Sequence, residues 1–323
     1  MKLSKLSKLS ALATLLLSNT VLAQSYQSFS NLNYSQRNFT SNNSTFNRTY
    51  KSDSDNITLS SQYYFDERLT LGPLNEFDYI NTLSNVYLSA GHGGSDSFSA
   101  DKSQDYNQES SWNSEHYSVS IGGEWITNSF IFGGSYSYRK ASHDGDFQLN
   151  SDSGSYSYEN SSSYFSLKFG YLFTDNFVIS AEAFDDDDGG NLVTFNASYN
   201  WQLSGTDYIG FSYDVNEDFD YHQLSTRYFF GISTQSYLVL GVDYTLWDFE
   251  YFGTEDTWSV NSSYYYNDSA SISASYGEEG NYSVSTNYFV NENYSLSAGY
   301  NSITDNKVID KADGYFVGFS AQF

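Results

Sequence analysis

Apolar and polar side chains alternate with a period of two, run after run, over most of this chain. Phe165, Leu167, Phe169 and Tyr171 stand opposite Ser166, Lys168 and Gly170. The pattern returns in Phe177-Ile179-Ala181-Ala183, Val193-Phe195-Ala197-Tyr199-Trp201, Ile209-Phe211-Tyr213-Val215 and Leu238-Leu240-Val242-Tyr244. Three further runs are Ala270-Ile272-Ala274-Tyr276, Tyr282-Val284-Thr286-Tyr288 and Tyr294-Leu296-Ala298-Tyr300. The chain ends on the same alternation, with Tyr315, Val317, Phe319, Ala321 and Phe323 against Phe316, Gly318, Ser320 and Gln322. Successive strand side chains point to opposite faces, so each run is a strand with one apolar and one polar flank. The first half is less regular. Its clearest runs are Ile57-Leu59-Ser61-Tyr63-Phe65, Val86-Leu88-Ala90 and Tyr117-Val119-Ile121.

Short polar joints at 174–176, 204–207, 267–268 and 291–293 read as tight hairpin turns. They alternate with more variable segments at 185–191, 247–256 and 302–312, the asymmetry expected of an outer-membrane barrel. Three Ser/Asn/Asp-rich stretches near 36–54, 91–113 and 141–157 read as long loops. The count comes to about 16 strands, an even number that returns the C-terminus to the side of the N-terminus.

The opening residues read as a signal peptide over 1–23. Lys2, Lys5 and Lys8 precede a short apolar run and the small-residue end Val21-Leu22-Ala23. That leaves an exported chain over 24–323, without a boundary between domains. No later stretch has the roughly 20 apolar residues of a membrane helix. Export separates two folds that would both alternate, a soluble β-sandwich and a barrel in lipid. The apolar flanks mix Ala and Thr with Tyr, where a dry sandwich core favours Val, Ile and Leu. Aromatic rings at strand ends suit the lipid headgroup level. The expectation is therefore an all-β, transmembrane, antiparallel up-and-down β-barrel in the outer membrane of a Gram-negative bacterium. Tyr315, Val317, Phe319 and the terminal Phe323 would form its outer-membrane insertion signal.

Composition narrows the function. A net charge of -25, from 39 acidic and 14 basic residues, argues against nucleic-acid partners, whose phosphates need clustered Lys and Arg. With no Cys, disulfides and thiolate metal sites are excluded. The acidic run at 185–188 lacks the alternating ligands and distal Glu of a calcium loop. His92, His116, His143 and His222 form no catalytic constellation in the sequence, and His143-Asp144 reads as a solvated pair in a loop. No enzymatic activity, cofactor or metal is expected.

If the apolar flank meets lipid, Lys168, Glu182, Asp214, Arg227 and Asp243 line the lumen, since Lys or Arg facing lipid near the midplane costs roughly 2–4 kcal/mol. Lys168 would face Glu182 across the turn at 174–176, and Arg227 would face Asp243. About 16 strands leave an aqueous channel, which a long loop could narrow. The candidates are 91–113 and 141–157, the second carrying His143, Asp144, Asp146 and Asp152. An acidic constriction would favour cations.

Gln62-Tyr63-Tyr64-Phe65-Asp66, followed by Gly72-Pro73-Leu74-Asn75-Glu76-Phe77, resembles the N-terminal signature of the putative general bacterial porins of marine gammaproteobacteria. The one proline of the chain lies inside it. The sequence departs from that pattern after Glu76, where Phe77-Asp78-Tyr79-Ile80 replaces a more aliphatic run. The resemblance implies an outer-membrane porin for passive diffusion of small hydrophilic solutes. The alternative of another class is a structural or adhesive surface protein that uses the barrel as an anchor. An outer-membrane hydrolase ranks below both. Expected partners are outer-membrane lipid and lipopolysaccharide, the barrel-assembly machinery and small polar solutes, with a homotrimer as the assembly to test for.

Overall fold

The computed structural model describes residues 25–43, 47–103, 106–150, 152–186, 191–233, 235–249, 253–304 and 311–323. The expected signal peptide lies outside them. Sixteen strands follow one another: β1 (Ser25–Asn43), β2 (Arg48–Leu69), β3 (Asn85–Ser103), β4 (Tyr106–Thr127), β5 (Phe130–Leu149), β6 (Asp152–Thr174), β7 (Phe177–Asp186) and β8 (Asn191–Gln202). The second eight are β9 (Tyr208–Asn216), β10 (Tyr221–Gly231), β11 (Tyr237–Phe249), β12 (Gly253–Asn267), β13 (Ala270–Gly277), β14 (Asn281–Asn291), β15 (Tyr294–Thr304) and β16 (Lys311–Gln322). Each pairs antiparallel with its neighbour in sequence, and β1 pairs with β16 to close the barrel. The seam runs from Phe29 opposite Gln322 to Thr40 opposite Lys311. Below it, the Phe323 carbonyl accepts from the Ser28 amide at 2.7 Å, and the Phe323 amide donates to the Ser28 carbonyl at 2.9 Å. Within the membrane band, closure pairs every strand on both sides, which backbone in hydrocarbon requires.

The apolar flank faces outward. Leu167 is 58% exposed, Ile121 56% and Val317 51%. A soluble protein would not leave such a band open to water, whereas a barrel gives it to lipid. The polar flank faces inward, where serines join across strands: Ser135 with Ser166 at 2.8 Å, Ser137 to Ser120 at 2.8 Å, Ser275 with Ser283 at 2.7 Å.

Strand length divides the wall. From β7 to β16 the strands have 8–15 residues, near the 9–11 that a tilted strand needs to cross a bilayer. From β1 to β6 they have 19–23. The surplus, about 10 residues, is roughly 30 Å of extended chain standing beyond the membrane band on one side. This corrects the expectation of long loops. Residues 36–54, 91–113 and 141–157 lie almost wholly within strands β1 to β6, in continuous hairpin register. Alternating serine, asparagine and tyrosine suffice for pairing when a neighbouring strand supplies backbone partners in register. Residues 247–256, read as a variable segment, likewise belong mostly to β11 and β12. The described residues of 91–113 and 141–157 stand in the wall and do not fold into the lumen.

Candidate functional site

Among the described residues, the one long connection sits at the end where the turns are short and where Ser25 and Phe323 lie. Residues 70–84, between β2 and β3, run across that mouth as a strap. It opens with a bridge between Thr70 and Phe77 and a tight turn, in which the Glu76 amide donates to the Pro73 carbonyl at 3.0 Å. Gly72 has φ +127°, a region that L side chains avoid, and its Cα lies against the ring of Tyr237, so a Cβ has no room there.

The contacts of the strap go round the ring. The Leu74 amide donates to the Asp268 carbonyl in the β12–β13 turn at 2.9 Å, and Gln322 Nε2 on β16 donates to the Leu74 carbonyl at 3.0 Å. Phe77 packs edge-on against Phe29 of β1, centroids 5.2 Å apart, with the Arg68 guanidinium 4.5 Å over its ring. Tyr79 meets Tyr208 of β9 at 5.8 Å. Ile80 packs with Ile131, Leu172 and Val178 from β5, β6 and β7. Only a segment inside the mouth can reach walls on every side. A second inward cluster, Tyr208, Phe229, Val239 and Tyr265, packs against Leu71 and Tyr79. These apolar residues break the polar-inside pattern where the strap covers them. Full burial of a side chain such as Ile80 stabilises by about 1.5–3 kcal/mol.

At the centre of the contact stands Glu76, 6% exposed. Its Oε2 pairs with Arg227 Nη2 of β10 at 2.5 Å, and the Tyr265 hydroxyl of β12 donates to its Oε1. A buried carboxylate is tolerable only with such partners. The strap is therefore pinned through one acid to the wall opposite its own attachment. Asp78 keeps access to lumen water, yet the atoms crowding it push its carboxyl above the usual carboxylate range, against the pull of Arg68.

The matching family model, a putative general bacterial porin, covers residues 5–323. The chain belongs to that family. No curated protein sequence matches it. Among solved structures, this porin is similar to the Acinetobacter baumannii outer membrane protein Omp33, with 15% identity, 93% of this chain and 99% of that one covered, and a TM-score of 0.43. The Pseudomonas putida toluene transporter TodX gives 11%, 93% and 91%, with a TM-score of 0.48. The low-pH structure of Pseudomonas putida OprB gives 12%, 98% and 97%, with a TM-score of 0.48. Family and barrel together make this an outer-membrane, porin-like channel of a Gram-negative bacterium.

The lumen candidates of the porin fall into two groups. Lys168 and Glu182 are in register, as expected, but Lys168 Nζ turns the other way and pairs with Glu124 Oε1 of β4 at 2.6 Å. Gly133, in register between them on β5, has no side chain to block the reach. Arg227 stands opposite Gly241, not Asp243, and spends its charge on Glu76. Asp214 accepts from Asn196 Nδ2 at 2.8 Å and Asp243 from Asn261 Nδ2 at 3.2 Å, while Glu182 has no ion pair among the described residues. The His143-Asp144 pair separates, because neighbours on strand β5 point to opposite flanks; His143 Nδ1 meets Ser114 Oγ at 2.7 Å. Glu76 escaped the sequence reading as a functional residue, although it lies in the motif that carried the family resemblance. The lone proline and the left-handed glycine beside it were the available signal.

Proposed function

We propose that this porin passes small hydrophilic solutes by passive diffusion and prefers cations. The observation that carries the reading is the polar inward flank of a closed 16-strand ring, narrowed by the strap at 70–84. Both of the notable lumen cations are neutralised, Lys168 by Glu124 and Arg227 by Glu76. Glu182, Asp214 and Asp243 keep their charge outside ion pairs among the described residues and line the pore as its selective acids. Of the other inward cations, Arg37 and Arg139 belong to the tall wall across the barrel, and Arg68 lies over the Phe77 ring, where it acts on the Asp78 carboxyl. Fixed acids in a water-filled constriction raise the local cation concentration.

Purified barrels in a planar bilayer under a potassium chloride gradient provide the test. A reversal potential of cation sign, reduced in Asp214→Asn/Asp243→Asn, supports the proposal; zero or anion sign rejects the preference, and absence of conductance rejects the channel. The tall wall supports a second reading, a surface anchor, for which the lumen would be closed and cell-surface binding would depend on the β3–β6 hairpins. Tyr315 and Val317 face outward and Phe323 ends the seam, which supports their role as the insertion signal toward lipid and the assembly machinery.

A further inference from the structure

The tall wall carries rings on its inner side. Strand parity, unbroken by any register shift from the lumen upward, puts Phe39, Tyr50, Trp112, His143, Phe147, Tyr156 and Tyr158 on the same inward flank as Glu124 and Lys168. They meet one another across strands and, for Tyr156 and Tyr158, along β6. Phe39 and Tyr50 have centroids 5.3 Å apart, Tyr50 and Trp112 5.8 Å, His143 and Tyr158 4.6 Å at 23° between planes, Tyr156 and Tyr158 6.2 Å at 24°.

Two glycines explain how the rings lie. Gly145 stands in register between Trp112 and Tyr156, and a Cβ there would come within 2.6 Å of the Tyr156 hydroxyl oxygen. Gly154 stands opposite Phe147, and a Cβ there would fall 2.8 Å from that ring. Tyr156 and Phe147 are therefore each laid over a bare stretch of the neighbouring strand, in space that a side chain there would fill. Between them is an open groove of ≈ 450 Å³, lined also by Ser110 and by the Ser114–His143 pair.

The acids beside Trp112 and Tyr156 point the other way, while on the inward flank Asp101 is paired with Arg48 and Asp152 stands beyond Phe147 at the hairpin end. Asp96 and Asp144 are on the outward flank, so the groove joins flat apolar faces to uncharged hydroxyl and imidazole groups. A ligand needs flat apolar CH faces for the rings and hydroxyls for the polar rim. Anions are opposed by the charge of -25, and a purely apolar ligand would leave the serines unpaired. We propose that this aromatic track is a binding site for neutral oligosaccharides, whose pyranose rings stack on Trp112, Tyr156 and Tyr158 on the way to the lumen. The proposal deepens the porin reading, on which it rests, by naming the solute class.

The experiment adds maltohexaose to the porin in planar bilayers, and in parallel to detergent-solubilised porin in a calorimeter. Concentration-dependent interruption of the current is expected. Trp112→Ala/Tyr156→Ala should raise the half-blocking concentration about tenfold, the loss expected from two stacking faces, while Asp144→Asn on the outward flank leaves it in place. An equal block by polyethylene glycol of the same size, or an unchanged value in the double variant, overturns the proposal. If wild type conducts nothing, the channel reading fails by itself, and calorimetry still decides the track: saturable heat lost in the double variant supports it, and absence of heat with wild type overturns it.

Discussion

Arg227 illustrates how one side chain changes meaning once its neighbours are known. On its strand it is a lumen cation; in the folded porin it is the counter-charge of a buried acid on the strap. Removing one partner of such a pair is costly because the other charge stays buried, about 3–5 kcal/mol where burial is complete and less here, since the Arg227 side chain is 37% exposed. Arg227→Ala should lower the urea midpoint of the refolded barrel and release the strap, seen as larger and noisier single-channel currents. Glu76→Gln, which keeps an acceptor for Tyr265, should do so less. Asp78 gives the opposite sign. Because burial raises its carboxyl in the native state, ionisation there opposes folding, and that penalty fades as pH falls through the raised value toward the ordinary 3.8. Asp78→Asn should therefore stabilise the porin at about pH 7 and lose that advantage once the pH is below the ordinary 3.8, as read by urea unfolding at about pH 7 and about pH 3. Leu167→Arg, on the outward flank, should cost roughly 2–4 kcal/mol near the midplane and reduce insertion into vesicles.

Among the elements, the strap does what neither of the two expected loops does. Fifteen residues would be a long way round for a hairpin connection whose counterparts at the same end, such as 128–129 and 175–176, take two. Its length is used to cross the mouth and return. Replacing 71–83 by Asn-Gly should leave the ring closed, because the β2–β3 register runs from Arg48 opposite Asp101 to Tyr64 opposite Asn85 without the strap. Single-channel conductance should then rise about twofold or more, since a ring of this strand number leaves an aqueous channel when nothing fills it. Unchanged conductance would place the narrowest point elsewhere. The tall hairpins show why polar composition misled: stretches such as 153–162 contain little that is apolar, yet strands above the membrane need only pairing partners and no lipid-facing flank.

At the scale of the molecule, the barrel is a division between two solvents. Side chains at odd and even positions are sorted between hydrocarbon and water by the pleat, and the ring closes because an open edge in lipid would leave backbone groups unpaired. Deleting Phe323 removes the last tie across the β1–β16 seam and should reduce the yield of heat-resistant, folded porin on gels, with little change in the conductance of what does fold.

The amino-acid sequence alone determined the strand period, which flank meets lipid, the even count and the family, because each of these follows from alternation or from a local motif. Tertiary structure decided the rest. Where Lys168 and Arg227 spend their charge depends on Gly133 and Glu76, residues on other elements. Why Val178 and Val239 are apolar on a wet flank depends on a segment about a hundred or more positions earlier in the chain. Period-two order says which way a side chain points; what it finds there is set by closure of the ring, which brings distant segments to face each other across one lumen.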